Sequence, residues 1–180
     1  YILLFSLLLV SCGTRNGYFK MEGRFLHMNQ GELYVYSPDG GIAGLDTIKI
    51  EAGRFSYEKP CSKPSTLIII FPNYSTQPIF AESGEAVEVK ADASHLKEME
   101  VEGTEDNELM TKFRKQIASV SPPEELKYAI AFIKDHPESA VSVYLLNRYL
   151  VQTESPDYKQ AAKLLPLLIK EQPDNATLGR

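Results

Sequence analysis

The residues of this chain that could carry out chemistry are few and widely spaced. Among its 180 residues there are two cysteines, Cys12 and Cys61, and they do not form the Cys-x-x-Cys pair used in thiol-disulfide exchange. Cys61 has no histidine close to it in sequence, so the pattern favours a partly buried, unreactive thiol over a nucleophile. We therefore predict no thiol-disulfide exchange by this chain on its own.

The other candidate residues also lack a catalytic or metal-binding spacing. No His-x-His or His-Glu-x-x-His pattern connects the three histidines, which we interpret as surface or capping residues: His27, His95 and His136. Three acids occur at alternate positions: Glu98, Glu100 and Glu102. We favour a solvated strand edge as their role, because no turn carbonyls accompany them, and a calcium site stays open as the alternative. The sequence thus predicts no catalytic residue, no metal site and no cofactor.

Cys12 carries the strongest chemical signal, because it ends an apolar run that begins at Tyr1. The run is too short to cross a bilayer, and it ends in small residues, as the core of a secretory signal does at its cleavage site. Its last residues, Leu9-Val10-Ser11-Cys12, resemble the lipobox of bacterial lipoproteins, whose signal is cut before a cysteine that then carries acyl chains. This resemblance implies a truncated signal peptide over residues 1–11, lipid attachment at Cys12 and a lipid-anchored linker over residues 12–17.

The overall composition is typical of a globular protein without a nucleic-acid-binding surface. Hydrophobic residues make up 43% of the chain, and 24 acidic against 19 basic residues give a net charge of −5. Clusters of lysine and arginine, which neutralise phosphates in nucleic-acid complexes, are missing from the sequence. The same balance offers no polybasic face to anionic lipid, so the membrane would be a partner through the acyl chains alone.

Residues 18–103 show the alternation of a β-domain. Apolar and polar residues alternate in short stretches, which turn signals separate about every ten residues. Residues 67–71 are apolar on both faces and are predicted to form a central strand. Glu51-Ala52-Gly53 predicts a three-residue hairpin loop, and Ser83-Gly84 predicts a hairpin between the strands on either side. About eight strands then form an antiparallel β-sandwich or a partly open barrel.

From residue 104 to residue 180 the period becomes helical, and four helices are predicted. Asp106 is a candidate cap for the first, and Ser121-Pro122-Pro123-Glu124 is a capping box that starts the second. The third, over residues 139–151, is apolar around most of its circumference and should lie between the others. Ser155-Pro156-Asp157 caps the fourth, in which Pro166 predicts a kink or a restart. The predicted fold class is therefore α+β.

Four stretches of the chain carry a family resemblance: residues 45–55 (LDTIKIEAGRF), 79–85 (IFAESGE), 101–107 (VEGTEDN) and 132–139 (FIKDHPES). They resemble domain of unknown function 4369, a β-domain of bacterial lipoproteins. In that family the β-domain is commonly followed by helices and by a thioredoxin-like domain of the peroxiredoxin and thiol-disulfide interchange type. The resemblance implies that the helices lead to such a domain beyond the chain, although its Trp-Cys-x-x-Cys site is absent here, so no catalytic residue is carried over.

We therefore expect a membrane-tethered, extracytoplasmic lipoprotein that forms the non-catalytic N-terminal module of a thiol-disulfide oxidoreductase-like protein. The expected location is the periplasm of a Gram-negative-type cell envelope, on the outer membrane. Its expected partners are the membrane, through the lipid anchor, and its own thioredoxin-like domain. A stand-alone lipoprotein that binds a peptide or a glycan stays open as the alternative.

Overall fold

The computed structural model describes residues 14–178, in which a β-barrel precedes four helices. The predicted α+β class is confirmed. Cys12 and the predicted signal peptide lie outside the described residues. The strands are β1 (Tyr18–Leu26), β2 (Gln30–Tyr36), β3 (Leu45–Glu51), β4 (Arg54–Pro60), β5 (Ser65–Ile70), β6 (Thr76–Ala81), β7 (Ala86–Asp92) and β8 (Glu100–Glu102).

The eight strands form one sheet that curls into a nearly closed barrel, in the order β6-β5-β2-β3-β4-β1-β7-β8. The sheet is mixed rather than purely antiparallel, because β1 and β7 run parallel. The hairpin predicted at Ser83-Gly84 is wrong, because β7 pairs with β1 and not with β6. After the turn, the Gly84 N–H donates to the Tyr18 carbonyl at 2.7 Å and the Lys20 N–H donates to the Glu85 carbonyl at 3.1 Å. A turn signal in a sequence indicates a change of direction but not the partner strand.

Alternate residues of the strands fill the barrel interior with apolar side chains. Both faces of β5 are buried, as its apolar sequence predicts. Leu67 and Ile69 belong to the barrel core, and Ile68 between them is also buried. Each large apolar side chain removed from water in this way contributes about 1.5–3 kcal/mol to stability.

Strands β3 and β4 are joined by a two-residue turn, one residue shorter than predicted. Ala52 and Gly53 have φ angles of 50° and 70°, both in the left-handed region that such a turn requires. Beyond the residues that flank this turn, the two strands share no ladder pairs. The Asp46 carboxylate connects them instead, because it accepts hydrogen bonds from Tyr57 and Lys59, each at 2.8 Å.

The helices pack into a second apolar core, in which α3 touches α1, α2, α4 and β6 and so lies between the other helices, as predicted. The capping box is confirmed at the start of α2, where the Glu124 carboxylate accepts from the Ser121 N–H at 3.1 Å. The fourth helix runs through Pro166 without a restart. The bounds are α1 (Glu105–Ile117), α2 (Pro122–Asp135), α3 (Ala140–Leu146), which continues as a π-helical turn over Asn147–Val151, and α4 (Tyr158–Glu171).

The chain turns sharply from β8 into α1 at Gly103. This glycine has a φ of +120°, and a Cβ there would lie 2.6 Å from the Ala86 carbonyl oxygen, so only glycine fits. Thr104, not Asp106, takes the cap position of α1. The Asp106 carboxylate accepts from the Ser139 hydroxyl instead, which ties the start of α1 to the start of α3.

Helix α1 closes the gap between the two edge strands of the barrel. Asn107 and Thr111 are buried on one face of the helix. Asn107 bonds both backbone groups of Phe80 on β6, since its Oδ1 accepts from the N–H at 3.0 Å and its Nδ2 donates to the carbonyl at 2.7 Å. Thr111 Oγ1 accepts from the Val101 N–H on β8 at 2.8 Å. One helix thereby supplies hydrogen-bond partners to both free edges.

Arg114, one turn further along α1, completes this contact and is 2% exposed. Its guanidinium donates to the Pro78 carbonyl on β6 at 3.1 Å, to the Met99 carbonyl at 3.3 Å and to the Gln77 side chain at 2.8 Å. Burial lowers the pKa of Arg114 to about 10, so it remains charged at neutral pH. We refer to Asn107, Thr111 and Arg114 together as the α1 seam.

Replacing Asn107 with alanine should lower the free energy of unfolding by about 1–3 kcal/mol, since the Phe80 N–H and carbonyl would lose their buried partners. Urea unfolding followed by circular dichroism measures this change. Gln116→Ala, on the exposed side of the same helix, is the matched control and should alter stability by less than about 0.5 kcal/mol. An Asn107→Ala variant as stable as the wild type would show that β6 does not depend on α1.

Candidate functional site

Cys61 is a buried, free thiol at the end of β4. Its Sγ donates to the Lys63 carbonyl at 3.2 Å. Burial raises the pKa of the Cys61 thiol, and the nearby carboxylates of Glu82 and Asp39 raise it further. A thiol in this state has little thiolate, which is the reactive form in exchange chemistry. The predicted unreactive character of Cys61 agrees with this environment.

The histidines lie at the surface or at a helix end. His27 Nδ1 is 2.8 Å from a carboxylate oxygen of Asp92, and His95 Nδ1 is 3.7 Å from the other. The hydrogen bond with His27 lowers the pKa of Asp92 to about 2. His136 occupies the C-cap of α2, where its N–H donates to the Phe132 carbonyl at 2.8 Å.

The three alternating acids do not converge on a point. Glu100 pairs with Lys115 at 2.8 Å, and Glu102 pairs with Lys90 at 3.3 Å. Only Glu100 and Glu102 lie on β8, because Glu98 belongs to a short 3-10 helix over Leu96–Glu98. The backbone edge of β8 is covered by α1, since Thr111 Oγ1 accepts from the Val101 N–H. Within residues 14–178 no group of three or more histidine, cysteine or acidic side chains is arranged to hold a metal ion.

A cleft of about 500 Å³ between the barrel and the helices is the best-formed candidate site. Its barrel wall consists of residues 63–66 and 80–82, and its helical wall consists of the starts of α1 and α3 and residues 171–177. Phe80 and Val143 lie buried beneath it. We call this feature the barrel–helix cleft. It joins segments about a hundred residues apart in sequence.

A second, wider concavity on the outer face of β1, β4 and β7 is a weaker candidate. Its lining carries four bases and four acids, and two pairs of them are in contact: Lys20 lies 2.6 Å from Glu22, and Arg24 lies 3.8 Å from Glu88. A surface whose charges already neutralise each other offers a ligand little electrostatic attraction.

The barrel–helix cleft is strongly acidic. The side chain of Glu82, which lines the cleft, makes no hydrogen bond or ion pair with any other described residue; it is solvent-exposed, and its pKa is raised. Desolvation by the cleft walls is the main cause, and the carboxylates of Asp106, Glu85 and Glu105 add to it. The ionisable residues of the lining are one base, Lys63, and six acids: Asp39, Glu82, Asp106, Glu138, Glu171 and Asp174.

Ser65, in the barrel wall of the cleft, holds the one buried side-chain polar atom without a hydrogen-bond partner among the described residues. The neighbouring polar groups are satisfied: the Asp39 carboxylate accepts from the Thr66 N–H at 2.7 Å, and Ser37 Oγ accepts from the Gly41 N–H at 2.8 Å. A buried hydroxyl left unpaired costs free energy. The Ser65 Oγ atom packs against Gly41, where a Cβ would lie only 2.1 Å from it, and has no surface open to the cleft.

Comparison with protein families identifies the β-domain. The family model described as Domain of unknown function (DUF4369) matches residues 19–110. The chain belongs to this family. The match covers the barrel of the DUF4369 chain except for Tyr18, together with the first six residues of α1, and so includes Asn107. Comparisons with curated proteins and with solved structures give no match. Over residues 14–178, none of the helices has both the length and the apolar character needed to cross a membrane.

Sequence reasoning missed two structural features of the DUF4369 chain. The α1 seam has a local signal, because its polar residues recur at i, i+4 and i+7 on one face directly after a strand: Asn107, Thr111 and Arg114. The barrel–helix cleft has none. Its acids come from separate loops and helices, and each alone resembles an ordinary surface residue.

Replacing Glu82 with glutamine should stabilise the protein at pH 7. Because the folded-state pKa of Glu82 is raised, its ionisation lowers stability as the pH rises from the unfolded-state value of about 4.3 through the folded-state value. The gain should therefore vanish below about pH 4, where the wild-type carboxyl is protonated as well. Thermal melting of both proteins at pH 4 and pH 7 measures it, with Glu154→Gln outside the cleft as control. A gain that does not depend on pH would contradict the assigned electrostatics.

Proposed function

We propose that this chain is a membrane-tethered, extracytoplasmic lipoprotein and the non-catalytic N-terminal module of a thiol-disulfide oxidoreductase-like protein. In this role the barrel and helices connect a lipid anchor on Cys12 with a thioredoxin-like domain that follows the helices. The compartment is the periplasm of a Gram-negative-type envelope, with the anchor in the outer membrane. The sequence Leu9-Val10-Ser11-Cys12 and membership of the DUF4369 family support this proposal.

The observation that carries the non-catalytic role is how the buried polar side chains are used. The three residues of the α1 seam bond strand edges. Ser139 caps α3 by accepting from the Val141 N–H at 3.1 Å, and Ser142 donates to the His136 carbonyl at 2.6 Å. Among residues 14–178, five of the six buried polar residues therefore hold the fold together, and the sixth, Ser65, has neither a base nor an acid bonded to it.

Contacts at the amino-terminal end favour a close attachment of the barrel to its anchor. Arg15 lies 3.1 Å from Glu58 and stacks on the Tyr18 ring at 3.6 Å. The Gly17 N–H donates to Ser83 Oγ at 3.1 Å. Only three residue steps separate Cys12 from Arg15, a span of at most about 11 Å. A lipid on Cys12 would therefore hold this end of the barrel beside the headgroups.

The second candidate function is a stand-alone lipoprotein that binds a peptide or a glycan. The barrel–helix cleft favours it, since a concave site of this volume is of the size that accommodates small ligands. The gene sequence after Arg180 discriminates between the two candidates. A strand pattern followed by Trp-Cys-x-x-Cys supports the oxidoreductase module, and a stop codon directly after Arg180 supports the stand-alone protein.

Replacing Cys12 with serine should move the full chain from the membrane fraction to the soluble fraction and abolish labelling by radioactive palmitate, because serine cannot form the thioether that carries the diacylglyceryl group. Cys61→Ser is the matched control, since it also removes one thiol and should leave fractionation and labelling unchanged. Membrane association and acyl label that both survive Cys12→Ser would refute the anchor.

A further inference from the structure

We propose that the space between β3 and β4 binds an extended segment of another protein, which adds a strand to the barrel and bonds to the backbone edges of both strands. This goes beyond the tethering role and requires neither the lipid anchor nor a downstream domain. It rests on the strand pairing, on the closed floor beneath this space and on the side chains that flank it.

Strands β3 and β4 separate directly after the turn that joins them. They pair only at Glu51 and Arg54, and both continue for six residues beyond that pair. On its other side each strand is paired along its whole length, β3 with β2 and β4 with β1. We call the space between residues 45–50 and residues 55–60 the β3–β4 gap.

The alternation of an antiparallel ladder decides which backbone groups point into the gap. Glu51 and Arg54 flank a two-residue turn and bond to each other, so every second residue beyond them points the same way: Thr47 and Lys49 on β3, and Ser56 and Glu58 on β4. The Cys61 N–H fits this alternation, because it points away from the gap and donates to the Gly17 carbonyl at 2.7 Å. The facing rows of N–H and carbonyl groups match the backbone of one added strand.

The gap has a closed floor on the barrel side. The Asp46 carboxylate crosses beneath it and accepts from Tyr57 Oη and Lys59 Nζ, each at 2.8 Å. Tyr57 is 8% exposed and Ile48 is 3% exposed, so the core stays covered where the strands separate. An added strand can therefore pair with the two edges without opening the core, and its inward-facing side chains must be small.

The outward-facing side chains of β3 indicate the chemistry of the added strand. Lys49 is exposed and makes no ion-pair contact with a described residue, although Glu32 lies opposite it on β2. Thr47 is exposed, and Leu45 is 58% exposed. Cross-strand neighbours lie about 5 Å apart, so an acid, a β-branched residue and an apolar residue at alternate positions would meet these three side chains.

The occupant must have both of its own edges free. A second copy of the barrel does not meet this condition with β3 or β4, since each is already paired on one side. Pairing of β3 with β3 of a second copy, centred on Thr47, would also place Lys49 opposite Leu45. A sugar or a metal ion has no regular row of donors and acceptors. These constraints favour an extended, otherwise unpaired segment of a different protein.

Fluorescence anisotropy of the full chain in a nonionic detergent tests this proposal. The probe is a labelled peptide, Ala-Glu-Ala-Val-Ala-Leu-Ala, which should bind saturably. Two matched peptides carry N-methyl groups on one or the other alternate set of backbone amides, which removes donors and keeps every side chain. Each should bind at least about tenfold more weakly, since each loses its bonds to one edge of the gap. Protein-free detergent corrects for binding to micelles.

A charge exchange locates the binding. Lys49→Glu should weaken the Kd for the probe about fivefold and should favour a peptide with lysine in place of the glutamate. Lys163→Glu, at an exposed position of α4, is the matched control and should leave both Kd values within about twofold. Thermal melting confirms that both variants fold.

The proposal would be overturned by any of three results: no saturable binding of the probe, undiminished binding of either methylated peptide, or equal effects of Lys49→Glu and Lys163→Glu. A dimer of the full chain that Lys49→Glu dissociates would show that a second copy occupies the gap and would also overturn it. Each result is independent of membrane fractionation, so failure of the anchor and failure of this proposal can be told apart.

Discussion

The fold depends on hydrogen bonds from helix α1 to the backbones of two strands that have no strand partner on that side. An unpaired strand edge exposes N–H and carbonyl groups that otherwise recruit another chain. Asn107 presents a side-chain amide to Phe80 and so replaces the peptide group of a missing strand. An adjacent face of α1 places Phe113 in the helical core. Through this one helix, the barrel and the helices share their stability.

Two sets of charges have different roles. Arg114 is a buried cation whose three hydrogen bonds go to uncharged oxygen atoms, so its role is to close the barrel. The Glu82 carboxylate lies close to other carboxylates, and no described residue donates a hydrogen bond to it. Burying a charge is costly unless hydrogen bonds compensate for it. Arg114 is buried and has that compensation, whereas the Glu82 side chain is solvent-exposed and does not need it.

The features of the fold that can be predicted from the sequence are those that depend on residues close to one another in the chain. The capping box at Ser121 and Glu124, the burial of both faces of β5 and the central place of α3 were each predictable from residue spacing. The partner of β7 was not, because the turn before it signals only a reversal. The unbroken path of α4 through Pro166 shows tertiary packing overriding a local preference against interior proline.

The candidate site was less accessible to sequence reasoning. The low reactivity of Cys61 was expected from its isolation, and its burial agrees. The acidic cleft was not expected, since its wall segments come together only when α1 closes the barrel and α4 returns towards it. The repulsion among the acids of the cleft arises only in the assembled fold, so no single stretch of the sequence indicates it.

The central claim, that the α1 seam makes the barrel and the helices one cooperative unit, is tested most directly by native-state hydrogen exchange. The amides of Phe80 and Val101, which bond to Asn107 and Thr111, should exchange with the same free energy and the same urea dependence as the amides inside β1 and α3. Exchange of these two amides at a much lower free energy, as at a fraying strand edge, would contradict the claim and would mean that the helices dock on a barrel that stands without them.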